Sequence, residues 1–198
     1  MTYGTNAPNG FQIKRKLDGS AWTGQLTSYA IASAYNTAIY SGDPVAALAD
    51  GTIGIGVAGT FIRGIFYGCK YTDTSGNVVN SQYWPASTTV LTGTIPYALV
   101  CDDPNVVYSV QETNGSGVAG TPLALADRNL NINFYIQAGN AATGQSKTTI
   151  DNSTEANTPT LNCRIIDLDP QPGNVVGAFA NWLVTINNSD FKYGTSGV

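Results

Sequence analysis

The sequence predicts an all-β fold, and three observations carry that prediction. Short runs rich in Val, Ile, Tyr and Phe are cut repeatedly by turn residues, and the 198-residue chain holds 22 Gly and 9 Pro. Leu130, Ile132, Phe134 and Ile136 recur every second residue, the period of a half-buried strand. Two further β-like runs, 161–168 and 179–186, flank the turn-rich Pro170-Gln171-Pro172-Gly173-Asn174. The expected body is a compact β-barrel or β-sandwich, with a tulip-like trimeric bundle as a third form of the same class. An extended N-terminal arm, residues 1–26, precedes a single β-rich domain, residues 27–198. No internal repeat or long linker divides that domain.

Taken in order, the arm is expected to be extended because Gly4, Pro8, Gly10, Gly19 and Gly24 interrupt any helical period. It carries the apolar Phe11, Ile13, Leu17 and Trp22. It also carries the one tight basic cluster, Lys14-Arg15-Lys16, three of the nine basic residues. Over residues 28–40 the alanines would suit a short helix. Tyr29, Ile31, Ile39 and Tyr40 are β-formers, however, and Ser41-Gly42-Asp43-Pro44 closes the segment as a turn, so two strands are expected. Residues 60–71 form an aromatic strand in which Gly64 and Gly68 mark a bulge or a close backbone approach. Residues 73–77 make a hairpin turn. The run 106–111 is a strand that follows the turn Asp102-Asp103-Pro104-Asn105. Gly, Ala, Thr and Asn dominate thereafter, and a polar loop, mobile in part, is expected at about 138–160.

Composition excludes several functions. Charged residues are 11% of the chain, against about 25% in an ordinary soluble domain. Such a surface is neutral, turn-rich and suited to lying against neighbours. The net charge of −4 gives no general attraction to nucleic acid or anionic lipid. There is no histidine, which removes the commonest general base near neutral pH and the commonest metal ligand. Cys69, Cys101 and Cys163 are sparse and odd in number, as expected of reduced, buried thiols in a chain folded in a cytoplasm. Residues 1–10 lack the basic flank and apolar run of a signal peptide, and no stretch is apolar for the ~18 residues of a membrane span.

Every motif that could carry chemistry has a plainer reading. Gly54-x-Gly56-x-x-Gly59 spells a dinucleotide fingerprint, but it leads into β-rich sequence where a helix is required, so a turn is expected. Asp73-Thr74-Ser75-Gly76 has one residue too many for an aspartic-protease loop. The pairs Asp102-Asp103 and Asp167-x-Asp169 could serve glycoside hydrolysis, yet turn chemistry accounts for the first, and only two glutamates, Glu112 and Glu155, exist. Ser146-Lys147 is adjacent rather than spaced as a dyad. Asp151, Asn152 and Glu155 match no calcium loop. No enzyme activity, cofactor or metal is expected.

Across most of the chain the order of features is more informative. The N-terminal run from Tyr3 to Gln25, the tyrosine-rich stretch ending at Ser41–Val45, Gln82–Thr88, Asp102–Gln111 and the C-terminal RIIDLDPQPGNVVGAF…VTIN together resemble the decoration, or cement, proteins of short-tailed bacteriophages. One departure is the C-terminal VTINNSDF, which lacks the histidine expected soon after the last strand. The resemblance implies a homotrimer on the outer capsid surface of a virion, made and assembled in the host cytoplasm. It would bridge adjacent subunits of the major capsid protein. Phe11, Ile13, Lys14, Arg15, Lys16, Leu17 and Trp22 are the expected capsid-binding residues. Two other classes share this composition. One is another virion part, such as a head fibre, neck or tail protein. The other is a carbohydrate-binding β-sandwich with Trp22, Trp84 and Trp182 as stacking platforms.

Overall fold

A computed structural model describes residues 4–192, 194, 196 and 197. In chain order the strands are β1 (Gln12–Lys16), β2 (Thr27–Ala30), β3 (Ile39–Tyr40), β4 (Pro44–Ala47), β5 (Ile53–Ile55), β6 (Gly64–Thr72), β7 (Val78–Ser81), β8 (Tyr83–Trp84), β9 (Tyr97–Cys101), β10 (Val106–Thr113), β11 (Asn131–Tyr135), β12 (Thr149–Ala156), β13 (Cys163–Leu168) and β14 (Asn181–Ile186). The fold is all-β, with a closed five-stranded barrel beside two open sheets.

The barrel runs β10-β12-β11-β13-β14 and closes because β14 pairs back onto β10. Its pairings are antiparallel except at one seam, where β10 meets β12 in parallel through Glu112↔Ile150 and Thr113↔Asp151. Period-2 alternation fills the interior. Val106, Tyr108 and Val110 of β10 enter one apolar cluster with Ile132 and Phe134 of β11, Ile150 of β12, Ile165 of β13 and Trp182 and Val184 of β14. The expected strand at 130–137 and the closing pair at 161–168 and 179–186 are present as β11, β13 and β14. The stretch 138–160 is corrected: it contains β12, a strand of the barrel wall, with Thr149, Ile150 and Asn152 buried. Its polar composition conceals it because its inward polar groups find partners inside the protein.

The second sheet, β2-β9-β6-β4-β5 with β7 on β6, lies between two cores. Ile65 and Cys101, with half-buried Tyr67, join the barrel cluster. Phe66, Cys69, Ala98 and Val100 join a second cluster, which Ile39 and Trp84 of the small β3–β8 ribbon complete. A register shift between Phe66 and Gly68 lets Phe66 and Cys69, three residues apart, share a face. Gly64 is a close-approach site as expected, since a Cβ there would run into the Cys101 carbonyl oxygen. The expected turn at 73–77 joins β6 to β7, with Asp73 Oδ1 accepting the Ser75 and Asn77 N–H groups.

Of the segment expected as an arm, residues 1–3 lie outside the described residues. The remainder is held along the body. β1 is the outermost strand of the barrel sheet, antiparallel to β10 with Gln12 opposite Ser109. Phe11, just before it, is fully buried and packs edge-on against Tyr108 with ring centroids 5.8 Å apart. Gln111 clamps the residues further upstream: its side chain accepts the Ala7 N–H at 3.0 Å and donates to the Thr5 carbonyl at 3.0 Å.

Candidate functional site

The seven expected contact residues divide by accessibility. Phe11 is inside the barrel core, and Ile13 and Trp22 are half-buried against it, Trp22 tilted over Tyr67 at 6.4 Å. Leu17 is exposed. The basic residues sit on an edge strand that carries a bulge between Ile13 and Arg15. Bulges and lysines on an edge discourage uncontrolled strand pairing with other chains. The lysines are also paired within the chain. Lys14 Nζ lies 3.3 Å from Asp169 Oδ2 and Lys16 Nζ lies 3.2 Å from Asp103 Oδ2. Arg15 Nη1 donates to the Lys16 carbonyl at 3.0 Å.

Lys14 borders a polar cleft of about 380 Å³ between β1, β10 and the chain around Gln171, with Gln12, Ser109, Gln111 and Asn181 also on its wall. Three of its wall residues converge on the buried Asp169, whose Oδ2 gathers donors from Ser109 Oγ, Gln171 Nε2 and the Lys14 ammonium. The Ser109 hydroxyl therefore points at a carboxylate that already serves an ion pair. This is a clamp holding β1, β10 and the 169–171 turn together. A second cleft, of about 360 Å³ and largely apolar, opens where the second sheet meets the barrel, between Ala38, Tyr40, Ile55 and Ile136. The Tyr40 ring stacks on Tyr83 at 5.4 Å and 8°.

The motifs singled out in the sequence have structural duties. Gly54 belongs to β5, not to a turn, and lacks a side chain because the Tyr35 hydroxyl lies against it and accepts the Ile55 N–H at 3.0 Å. Gly59 has φ +79° and makes the turn that follows. Asp102 accepts from Thr27 Oγ1 at 3.1 Å and the Tyr29 hydroxyl at 2.7 Å, tying β2 to the end of β9. Burial raises the Asp103 carboxyl, but the Asn105 N–H and the Lys16 ammonium outweigh it and hold the group below its ordinary value. Asp167 accepts the Leu168 N–H and faces Arg128 at 3.5 Å. Asp151 turns to Ser153 while its neighbour Asn152 is buried, so the two do not converge on one ligand. Trp84 and Trp182 are fully buried. Among the described residues no group of three acidic or cysteine side chains is placed to hold a metal ion.

Two buried carboxyls were not singled out by sequence. Asp43 accepts from Ser146 Oγ, Thr148 Oγ1 and the Tyr40 N–H, and burial raises its carboxyl against those three hydrogen bonds. Glu112 lies inside the barrel, raised by burial against hydrogen bonds from the Leu123 N–H and the Asn152 amide, with the Trp182 indole facing it. The signal for Glu112 was available: it continues the inward series Val106, Tyr108, Val110 by two residues. Asp43 carried none beyond its turn motif.

Comparison with known proteins gave no match: no family model fits the sequence, and no curated protein or solved structure is significantly similar to it.

Proposed function

We propose that this protein is a non-enzymatic structural component of a bacteriophage particle. As a homotrimer it binds the outer surface of the capsid and bridges adjacent copies of the major capsid protein. The observation that carries this reading is a charge-poor surface with large apolar side chains standing out of it. Val57, Val78, Ile95 and Phe191 are each more than half exposed on a chain with 11% charged residues. Depletion of charge with exposed apolar and aromatic groups is the composition of an interface core. The internal use of Asp43, Asp102, Asp103, Asp167 and Asp169 supports a scaffold rather than a reaction centre. On this reading the capsid contact of the N-terminal segment falls to its exposed residues, Lys14 and Leu17 foremost, since Phe11 is consumed by the core. The carbohydrate reading loses support, because two of its three tryptophans have no face in solvent.

The test is co-sedimentation with expanded and unexpanded shells of the major capsid protein of the phage that encodes this chain, alongside native mass spectrometry. Saturable binding to expanded shells and a three-chain mass are expected. A monomer that binds neither shell would overturn the proposal.

A further inference from the structure

Four buried side-chain polar atoms among the described residues have no hydrogen-bond partner, and three belong to one cluster: Glu112 Oε1, Asn152 Oδ1 and Trp182 Nε1. Native interiors leave few such atoms, so three together call for a physical account. The cluster sits at the barrel's parallel seam. Only two residue pairs join β10 to β12 there, and Glu112 belongs to one of them. Alternation along each strand turns Glu112 inward after Val110 and Asn152 inward after Ile150, which brings an acid and an amide together inside the barrel. One half of that meeting is satisfied. Glu112 Oε2 accepts the Leu123 N–H at 2.9 Å and an Asn152 Nδ2–H at 3.2 Å. The other half is Glu112 Oε1 and Asn152 Oδ1, both acceptors; the Trp182 Nε1–H faces the carboxyl but lies outside hydrogen-bond geometry with either oxygen.

The groups facing Glu112 are neutral: the Asn152 amide from β12, the Trp182 indole from β14, and the backbone of Leu123 from the connection after β10 and of Ala180 just before β14. Asp151, the charged neighbour on β12, turns to Ser153 on the exposed side. Among the described residues no cation offsets a charge here, and Glu112 has no exposed surface. A buried carboxylate without a cation takes up a proton instead of remaining ionised.

We propose that Glu112 is held as a neutral carboxylic acid, which donates its proton from Oε1 to Asn152 Oδ1 and so closes a two-bond acid–amide ring that bolts the barrel's parallel seam, and that ionisation of Glu112 opens the seam. The ring gives each orphan oxygen its partner with one hydrogen atom. The polar character of the seam extends one residue further, where Thr113 Oγ1 and Thr149 Oγ1 lie 2.5 Å apart. Loss of the proton would set a charged oxygen against an amide oxygen in a low-dielectric interior, across a contact only two residue pairs long.

The two glutamates of the chain make the test direct. Carboxyl-¹³C glutamate labelling gives two signals in the intact protein, and Glu155→Gln leaves that of Glu112 alone. At neutral pH the Glu112 signal is expected at the position of a protonated acid, moving to the carboxylate position only on alkaline titration. Hydrogen-exchange protection of Thr113 and Asp151 should fall along the same curve. Glu112→Gln places an amide N–H where the acid O–H would be, so its seam should stay protected across that range. A Glu112 signal already at the carboxylate position at neutral pH would overturn the proposal, and that measurement does not require the variant to fold. Protection that is unchanged while the signal titrates, or that falls equally in Glu112→Gln, would overturn the seam's dependence on it.

Discussion

Asp43 accepts a 2.5 Å hydrogen bond from the Ser146 hydroxyl, 103 residues further along the chain. With Thr148 Oγ1 at 2.7 Å and the Tyr40 N–H at 2.8 Å, it fastens the turn after β3 to the strand approach of β12, and only 1% of it is exposed. Asp43→Ala leaves buried donors without an acceptor and is expected to cost about 3 kcal/mol. Asp43→Asn keeps one acceptor and should cost less. Urea denaturation midpoints check both. An unshifted midpoint for the alanine variant would show that the bridge contributes nothing.

Stability should fall as pH rises above the ordinary carboxyl range. Burial raises both Asp43 and Glu112 in the fold, so the folded chain holds more protons than the unfolded chain once pH exceeds their ordinary values. Their contribution is full below those values and is lost as pH climbs through the raised ones. Asp18, Asp50 and Asp73 act oppositely: hydrogen bonds from Ser20, Thr52 and Asn77 lower them, so strong acid also destabilises. Melting temperatures should peak under mildly acidic conditions. A profile still rising into alkaline pH would contradict this.

Gly64→Ala and Gly76→Ala should separate two reasons for glycine. At Gly64 the added methyl meets the backbone oxygen of Cys101 between paired strands, where nothing flexible can give way. A loss of about 3 kcal/mol or failure to fold is expected. At Gly76 nothing lies within 4 Å, and only the φ of +87° resists a side chain. That substitution should cost about 1–2 kcal/mol. Equal losses at the two sites would refute the distinction.

Phe11→Ala should cost about 3–5 kcal/mol, because the ring is fully buried against Tyr108. Deleting residues 4–16 removes Phe11 and β1 together and should prevent stable folding. Circular dichroism melts decide this. A truncated chain as stable as the parent would mean that β1 is dispensable.

Point substitutions are therefore the cleaner probe of capsid contact. Lys14→Ser with Lys16→Ser removes the partner of the buried Asp169 and one partly exposed pair, Lys16 with Asp103, and should cost about 1–3 kcal/mol, most of it at Lys14. If these charges face acidic capsid groups, binding to expanded shells should weaken and become less sensitive to salt. Undiminished binding by the folded double variant would exclude the β1 edge as a contact.

The parts of the fold that could be read from sequence are those whose signal is local. The alternation through Ile132 and Phe134 identified β11, and the run at 106–111 identified β10. The turn at 73–77 announced its hairpin because Asp73 bonds to residues two and four positions on. What could not be read depends on distant partners. β12 reads as polar loop because Asn152 and Thr149 become acceptable inside only once Glu112 and Thr113 stand beside them. The β1 segment reads as an arm because its pairing strand begins some ninety residues later. Gly54 gave no sign of a strand, since the Tyr35 hydroxyl that excludes a side chain there is remote in sequence. The candidate basic cluster was visible as Lys14-Arg15-Lys16, whereas its pairing to Asp169 and Asp103 was not.

The pairing of β1 with β10 also fixes an order of events during synthesis. Gln12 emerges first and cannot meet Ser109 until 97 more residues have been added, roughly 5–20 s at ~5–20 residues per second. The strands of the second sheet are all complete by Cys101, so that sheet can form while the barrel is still being made. The barrel waits longer, because β14 reaches only to Ile186 and must pair with β10 to close the ring. Phe11 therefore travels as an unsheltered aromatic on the nascent chain through most of translation. A barrel assembled from such distant strands belongs among the slow folders, on the millisecond-to-second scale after release.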